Sequence, residues 1–132
     1  MKLVSTRLIT DDIQRMVEFY QHVTGIDATW ATPEFAEIVT PAGTLAIGST
    51  RTVALFAAGS ARPADNHTAI IEFLVSDVDA DYRRLRETVE NFVNEPTTMP
   101  WGNRSLLFRD PDGNLINLFT PVTEQAVAKF AG

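Results

Sequence analysis

The stretch STRLITDDIQRMVEFYQ (5–21) decides the fold, because it recurs as IIEFLVSDVDADYRRL (70–85). In both copies an apolar run reaches an aspartate, Asp12 or Asp77, and a helical pattern of apolar residues follows. A second pair agrees: PAGTLAIGS (41–49) and PDGNLINLF (111–119). The first pair is offset by 65 residues and the second by 70, close to half of the 132 residues. We therefore expect a duplicated half, with functional residues at positions that the copies share.

Composition limits the partners that the protein can have. A chain of 132 residues is predicted to form a single domain, 1–132. The absence of cysteine excludes disulfides and thiolate chemistry, and we expect a cytoplasmic protein. The net charge of −6 disfavours nucleic acid and is compatible with a cationic ligand. No segment reaches the roughly 20 apolar residues of a membrane span, so we expect no membrane partner.

Each half reads as β-α-β-β-β. In the first half we predict a strand over 2–10, a helix that begins at Asp11 or Asp12 and ends near Gly25, and strands over 27–32, 35–40 and 44–49. In the second half we predict a helix that begins at Asp77 and carries apolar residues to Val89, with strands over 68–76, 92–98, 104–109 and 114–120. The modules are thus about 1–50 and 67–121. The connector 51–66 is expected to hold a short helix at 53–56, and a frayed helix is expected at 125–130.

Three stretches, LITDDIQRMVEFYQHVTGI (8–26), FLVSDVDADYRRL (73–85) and WGNRSLLFRDPDGNLINLF (101–119), resemble the vicinal-oxygen-chelate superfamily. That superfamily includes glyoxalase I, extradiol dioxygenases, methylmalonyl-CoA epimerase, and bleomycin- and fosfomycin-resistance proteins. The resemblance implies an α+β fold in which two tandem β-α-β-β-β modules form an incomplete barrel around a cavity. It also implies a homodimer. Because this fold hosts many reactions, the function must be argued from the site.

The resemblance also implies where a metal would bind. Two ligand positions stand seven residues before the aspartate that opens each helix, and two stand four residues after the glycine of each last turn. In this chain those positions hold Ser5, Ile70, Ile47 and Asn117. Two are aliphatic, and a hydroxyl and a neutral amide are poor ligands for zinc, nickel or iron. We therefore expect no metal at this site and no cofactor.

Strand alternation extends this set of ligand-facing positions. Arg7 should face the same side as Ser5, Glu72 and Leu74 the same side as Ile70, and Phe119 the same side as Asn117. The same rule gives Ile47 the neighbours Leu45 and Ser49. Arg7 and Glu72 occupy equivalent places in the two modules and are candidates for an ion pair. Trp101, before the penultimate strand, is a candidate for stacking on a planar or cationic ligand. The expected ligand-binding residues are Ser5, Arg7, Ile47, Ile70, Glu72, Trp101, Asn117 and Phe119.

Three functions are compatible with this set. The leading hypothesis is a metal-free protein that sequesters a small organic ligand, cationic or aromatic, in the cavity between the modules. The first alternative is a metal-independent isomerase, lyase or hydrolase with Glu72 as the candidate catalytic general base. The second alternative is a metal-dependent lyase or dioxygenase with an unusual site. Whether the protein is an enzyme stays open at this point.

Overall fold

The computed structural model describes residues 1–131. It contains eight strands and four helices in this order: β1 Ser5–Thr10, α1 Ile13–Thr24, β2 Thr29–Thr32, β3 Phe35–Val39, β4 Thr44–Ser49, α2 Thr50–Ala54, β5 Ile70–Leu74, α3 Val78–Leu85, β6 Thr97–Thr98, β7 Asn103–Arg109, β8 Leu115–Pro121 and α4 Glu124–Phe130. None of the helices within residues 1–131 has the length and apolar character that a membrane crossing requires.

The strands form two four-stranded sheets of identical topology. Sheet 1 has the order β1-β4-β3-β2 and sheet 2 the order β5-β8-β7-β6. In each sheet the first strand pairs with the last strand of its half in parallel, and the other pairs are antiparallel. Both sheets are open, with two edge strands each, and neither closes into a barrel. The predicted α+β fold with repeated β-α-β-β-β order is confirmed.

The chain packs as two compact units. Unit 1 comprises Met1–Asn66 with Pro111–Gly113, and unit 2 comprises His67–Asp110 with the chain from Asn114 onward. In unit 1, α1 covers one face of sheet 1 with Met16, Val17, Tyr20 and Val23. In unit 2, α3 covers one face of sheet 2 with Val78 and Leu85. The single-domain organisation stays a prediction.

The caps of the two long helices explain why the duplicated aspartates matter. The side chain of Asp12 accepts a hydrogen bond from Arg15 N, and that of Asp77 accepts one from Ala80 N, each at 3.1 Å. These bonds satisfy backbone donors that a helix N-terminus otherwise leaves free. Gly25 ends α1 with φ 70°, a left-handed conformation that glycine adopts without strain. The predicted start and end of α1 are thus confirmed.

Several element boundaries differ from the sequence prediction. The strand expected over 92–98 keeps a single bridge, between Phe92 and Phe108, and the two-residue strand Thr97–Thr98. Between them, the Asn94 amide takes the place of backbone partners for β7. Its Oδ1 accepts from Leu107 N at 2.7 Å and its Nδ2 donates to Ser105 O at 3.3 Å. The helix expected at 53–56 occupies Thr50–Ala54 and begins at the Ser49 cap. Helix α3 ends at Leu85 rather than reaching Val89.

Candidate functional site

The distal face of sheet 2, defined here as the face opposite α3, carries four of the eight predicted ligand-binding residues. The parallel register of β5 and β8 pairs Ile70 with Leu115, Glu72 with Asn117 and Leu74 with Phe119. The other face of β7 and β8 is fully buried beneath α3, where Phe108 and Ile116 have 0% exposure. The sequence prediction that Ile70, Glu72 and Leu74 share one face with Asn117 and Phe119 is therefore confirmed by the register.

Glu72 and Asn117 form the polar centre of this distal face. Asn117 Nδ2 donates a hydrogen bond of 2.8 Å to Glu72 Oε2. The carboxylate sets the orientation of the amide, because an ionised carboxylate only accepts and only the NH₂ group of the amide donates. The bond joins two strands that are remote in sequence, so the sheet register holds the carboxylate in place.

Two acceptor oxygens remain after this bond is made. Asn117 is 9% exposed, and its Oδ1 is buried with no hydrogen-bond partner within residues 1–131. Oε1 of Glu72 also has no hydrogen-bond partner within residues 1–131, and the Glu72 side chain is exposed. A buried acceptor without a partner is unfavourable by about 1–3 kcal/mol. Oε1 of Glu72 is therefore open to a hydrogen-bond donor, whereas Oδ1 of Asn117 is buried within the unit.

The surroundings of the pair are apolar. Ile70 and Leu74, on either side of Glu72 along β5, are 48% and 50% exposed. Phe119 is 7% exposed because the ring of Phe130 on α4 lies against it, with ring centroids 5.2 Å apart. Phe119 therefore shares the predicted face but is largely covered by α4.

The structure does not bring Trp101 to this pair. Trp101 is 67% exposed in the turn before β7, and the neighbouring Gly102 carbonyl accepts a hydrogen bond from Val122 N, beyond the end of β8. Asn117 lies five residues earlier on that strand, which is roughly 17 Å at the rise of an extended strand. Trp101 is exposed enough to stack on a ligand, but at a separate place on the unit.

In unit 1 the strand register contradicts the face predicted for Ile47. Ser5 pairs with Thr44 and Arg7 with Ala46, whereas Ile47 pairs with Leu8 on the opposite face. Ile47 is 0% exposed in the core that faces α1. The prediction that Ile47, with Leu45 and Ser49, shares the face of Ser5 is therefore wrong, and Ala46 is the unit 1 equivalent of Asn117.

The cause is a difference of one residue between the two last turns. Thr40 N bonds Gly43 O, whereas Asp110 N bonds Asn114 O, so the second turn is longer by one residue. Counting four residues from the glycine of each turn therefore gives positions out of register by one. Since strand side chains alternate, a shift of one residue moves a side chain to the other face.

Arg7 lies on the distal face of sheet 1, defined as the face opposite α1, beside two aromatic rings. Its guanidinium carbon is 4.8 Å from the ring centroid of Phe35 and 5.7 Å from that of Phe56. Both distances are within the range of cation–π attraction. Phe56 is 75% exposed in the loop after α2. Neither phenylalanine was singled out from the sequence, because their contact with Arg7 depends on pairing between strands and on the path of the connector.

The two charged candidates have partners within their own units. Arg7 contacts the rings of Phe35 and Phe56, and Glu72 accepts its hydrogen bond from Asn117. The ion pair between Arg7 and Glu72 stays a prediction.

Arg104 has a structural partner rather than a ligand. Its Nε and one terminal nitrogen donate to the two carboxylate oxygens of Asp79 on α3, at 2.8 and 2.9 Å. The hydrogen bond from Arg104 is the main cause that holds the pKa of Asp79 below its usual value of 3.8. This bidentate pair ties β7 to α3.

The residues present do not fit the metal that the resemblance implies. The equivalent positions, after the correction, are Ser5, Ala46, Ile70 and Asn117, which offer no imidazole, carboxylate or thiolate. Within residues 1–131 no three histidine, aspartate or glutamate side chains lie close enough together to hold a metal ion. His22 lies on α1 and His67 in the loop before β5.

Comparison with known proteins identifies the family. The family model of the glyoxalase/bleomycin resistance protein/dioxygenase superfamily matches residues 2–118. The chain belongs to this superfamily.

Individual relatives agree with this assignment. The chain is 30% identical over 125 residues to the uncharacterized protein YraH of Bacillus subtilis, covering 90% of this chain and 98% of that protein. A glyoxalase/bleomycin resistance protein/dioxygenase from Nocardioides is 25% identical, with a TM-score of 0.75 over 94% of this chain and 85% of that one. A family enzyme from Burkholderia phytofirmans, 18% identical, has a TM-score of 0.79 over 89% of this chain and 97% of that one, which shows the shared fold.

Proposed function

We propose that this protein binds a small organic molecule without a metal ion and sequesters it, in the manner that the bleomycin-resistance part of the family name suggests. The observation that carries the proposal is the hydrogen bond of 2.8 Å between Asn117 and Glu72 on the distal face of sheet 2. It fixes the Glu72 carboxylate beside Asn117, which occupies one of the four positions to which the resemblance assigns metal ligands. Ligand sites commonly combine an apolar lining with a few such fixed polar groups.

The acceptors of the pair indicate the ligand's chemistry. Glu72 supplies a negative charge and the free oxygen Oε1 on an exposed side chain. A cation with N–H donors, such as an amidine or an amine, satisfies this oxygen. The half-exposed side chains of Ile70 and Leu74 favour an apolar or aromatic body attached to that cation.

The test compares benzamidine, a planar aromatic cation, with neutral benzamide by isothermal titration calorimetry. We expect benzamidine to bind roughly tenfold or more tightly, because hydrogen bonds to charged groups contribute about 1.5–3 kcal/mol. Glu72→Gln should remove the difference, while Glu87→Gln, on the exposed segment after α3, should preserve it. Equal affinity for the two probes, or an unchanged preference in Glu72→Gln, would refute the anchor.

A metal-independent isomerase, lyase or hydrolase is the second candidate. The observation that favours it is the free oxygen of Glu72, since a general base needs an accessible lone pair within reach of a substrate proton. Turnover of a tightly bound ligand, abolished in Glu72→Gln with binding retained, would establish the enzyme. A metal-dependent lyase or dioxygenase is disfavoured by the donor set described above.

We also propose a homodimer as the working assembly. The chain that leads into β1, an edge strand of sheet 1, exposes Leu3 and Val4, at 93% and 63%. Exposed apolar side chains on edge strands favour association that covers them. Light scattering at micromolar concentration should give twice the chain mass, and a mass of one chain would contradict the proposal.

A further inference from the structure

Arg7 is held in place without using any of its hydrogen-bond donors. Its guanidinium lies within 4.8 and 5.7 Å of the ring centroids of Phe35 and Phe56. When a guanidinium stacks on an aromatic ring, its flat face lies against the ring, and its N–H groups point outward in the plane of the cation. No hydrogen bond or ion pair to the Arg7 side chain occurs within residues 1–131. The donors of an oriented, exposed cation are therefore free.

The backbone of β4 is shaped to allow this arrangement. Gly48 lies between Ile9 and Phe35 in the sheet register. A Cβ at Gly48 would lie 3.6 Å from Phe35 and only 2.8 Å from Oγ1 of Thr52 on α2. The distance to Phe35 is an ordinary van der Waals contact, so the missing side chain makes room for α2, which leads to Phe56. Phe35 shares the distal face with Arg7 because it pairs with Gly48, two residues from Ala46, the partner of Arg7.

We propose that Arg7, Phe35 and Phe56 form a binding site for a carboxylate attached to an apolar or aromatic body. A planar carboxylate accepts two parallel hydrogen bonds from a guanidinium, and this geometry is matched less well by the point charge of lysine. The apolar body is favoured by the exposed Leu55 and Phe56, at 83% and 75%. The inference goes beyond the proposed function, because it adds a separate site on unit 1 with its own ligand chemistry.

No acidic side chain of the described residues forms an ion pair with Arg7. Glu37 shares the distal face of sheet 1 through its pairing with Ala46, which pairs with Arg7. The two positions are two strand spacings apart, roughly 10 Å along the sheet. Within residues 1–131 no ion pair joins the Glu37 and Arg7 side chains. The overall charge of −6 opposes anion binding in general. Binding of a carboxylate therefore requires this local arrangement.

The experiment is an NMR titration of the ¹⁵N-arginine-labelled protein with benzoate, following the Nε–H signal of Arg7. We expect a saturable shift of that signal, with neutral benzamide producing none. Arg7→Lys, which retains the positive charge, should weaken binding of benzoate at least about tenfold, and Phe56→Leu should weaken it several-fold by loosening the stack. The control is Arg86→Lys, because Arg86 also lies over a ring, that of Tyr82 at 6.0 Å. It should leave affinity unchanged.

Three results would overturn the inference. The first is an equal response of the Arg7 and Arg86 signals, which would mean non-specific attraction of an anion. The second is unchanged affinity in Arg7→Lys. The third is inorganic phosphate binding as tightly as benzoate at Arg7, which would show a general anion site and not a carboxylate site.

The inference and the proposed function can fail separately. Binding of benzamidine without binding of benzoate would remove the Arg7 site and leave the Glu72 anchor intact. Binding of benzoate without any preference for benzamidine over benzamide would remove the Glu72 anchor and leave the Arg7 site intact.

Discussion

Replacing either Ile47 or Ile70 with alanine tests whether the two residues differ in burial, since Ile47 lies in the core of unit 1 and Ile70 on the exposed edge of unit 2. The family spacing assigned both residues to one kind of position, whereas the structure buries Ile47 completely and leaves Ile70 48% exposed. Ile47→Ala deletes three carbon atoms from a site packed on every side. Such deletions destabilise proteins by about 2–5 kcal/mol, because transfer energy is lost and a cavity remains.

The expected effect at Ile70 is much smaller. About half of the Ile70 side chain already contacts solvent, and its removal leaves no closed cavity. The loss of folding stability should therefore be near half of the roughly 1.5–3 kcal/mol that burial of a whole side chain contributes. We expect Ile47→Ala to lose at least about 1 kcal/mol more than Ile70→Ala. For a chain of 132 residues this difference is roughly 3–5 °C in Tm.

Urea unfolding followed by circular dichroism measures both variants. They are compared at one protein concentration, because an assembly that covered Ile70 would make its stability concentration-dependent. If Ile70→Ala proved equally or more destabilising at low concentration, where an assembly dissociates, the assignment of Ile47 to the core and the register of β1 and β4 would be refuted.

Three further outcomes follow from local contacts. Gly102→Ala should destabilise unit 2 severely, because Gly102 has φ 93° and an added Cβ would lie 2.1 Å from Oγ1 of Thr123; an unchanged melting temperature would contradict this. Asn94→Ala should destabilise by about 1–3 kcal/mol in urea unfolding, since it leaves a strand N–H without its partner, and a neutral effect would refute the role of the amide. Because the pKa of Asp79 is lowered in the folded protein, its pair with Arg104 should add stability above pH 3.8 that is lost as the pH falls below that value. Asp79→Asn should lack this pH dependence, and parallel curves for the two proteins would exclude the contribution.

The repeated aspartates and the helical spacing of apolar residues were sufficient to predict the fold. Asp12, Asp77 and Gly25 act through local backbone bonds, which depend on neighbours in sequence and so can be predicted from it. Alternation along β5 placed Glu72 on the face of Ile70, and the ligand positions that the resemblance implies put that face together with Asn117, in agreement with the register.

The remaining features depend on contacts that sequence spacing does not encode. The position of Ile47 depends on the length of a turn, which differs by one residue between the halves. The Asn94 amide replaces backbone pairing through bonds to β7, more than ten residues away. The Arg7 stack depends on the pairing of β3 with β4, which places Phe35 on the face of Arg7, and on the path of the connector to Phe56.

Native mass spectrometry of the protein purified from its own host tests the central claim most directly, because it weighs whatever the chain retains. The account predicts a mass excess equal to a small organic molecule, reduced in Glu72→Gln, with no stoichiometric metal. An excess equal to a single divalent transition metal, or an organic ligand retained equally by Glu72→Gln, would contradict it.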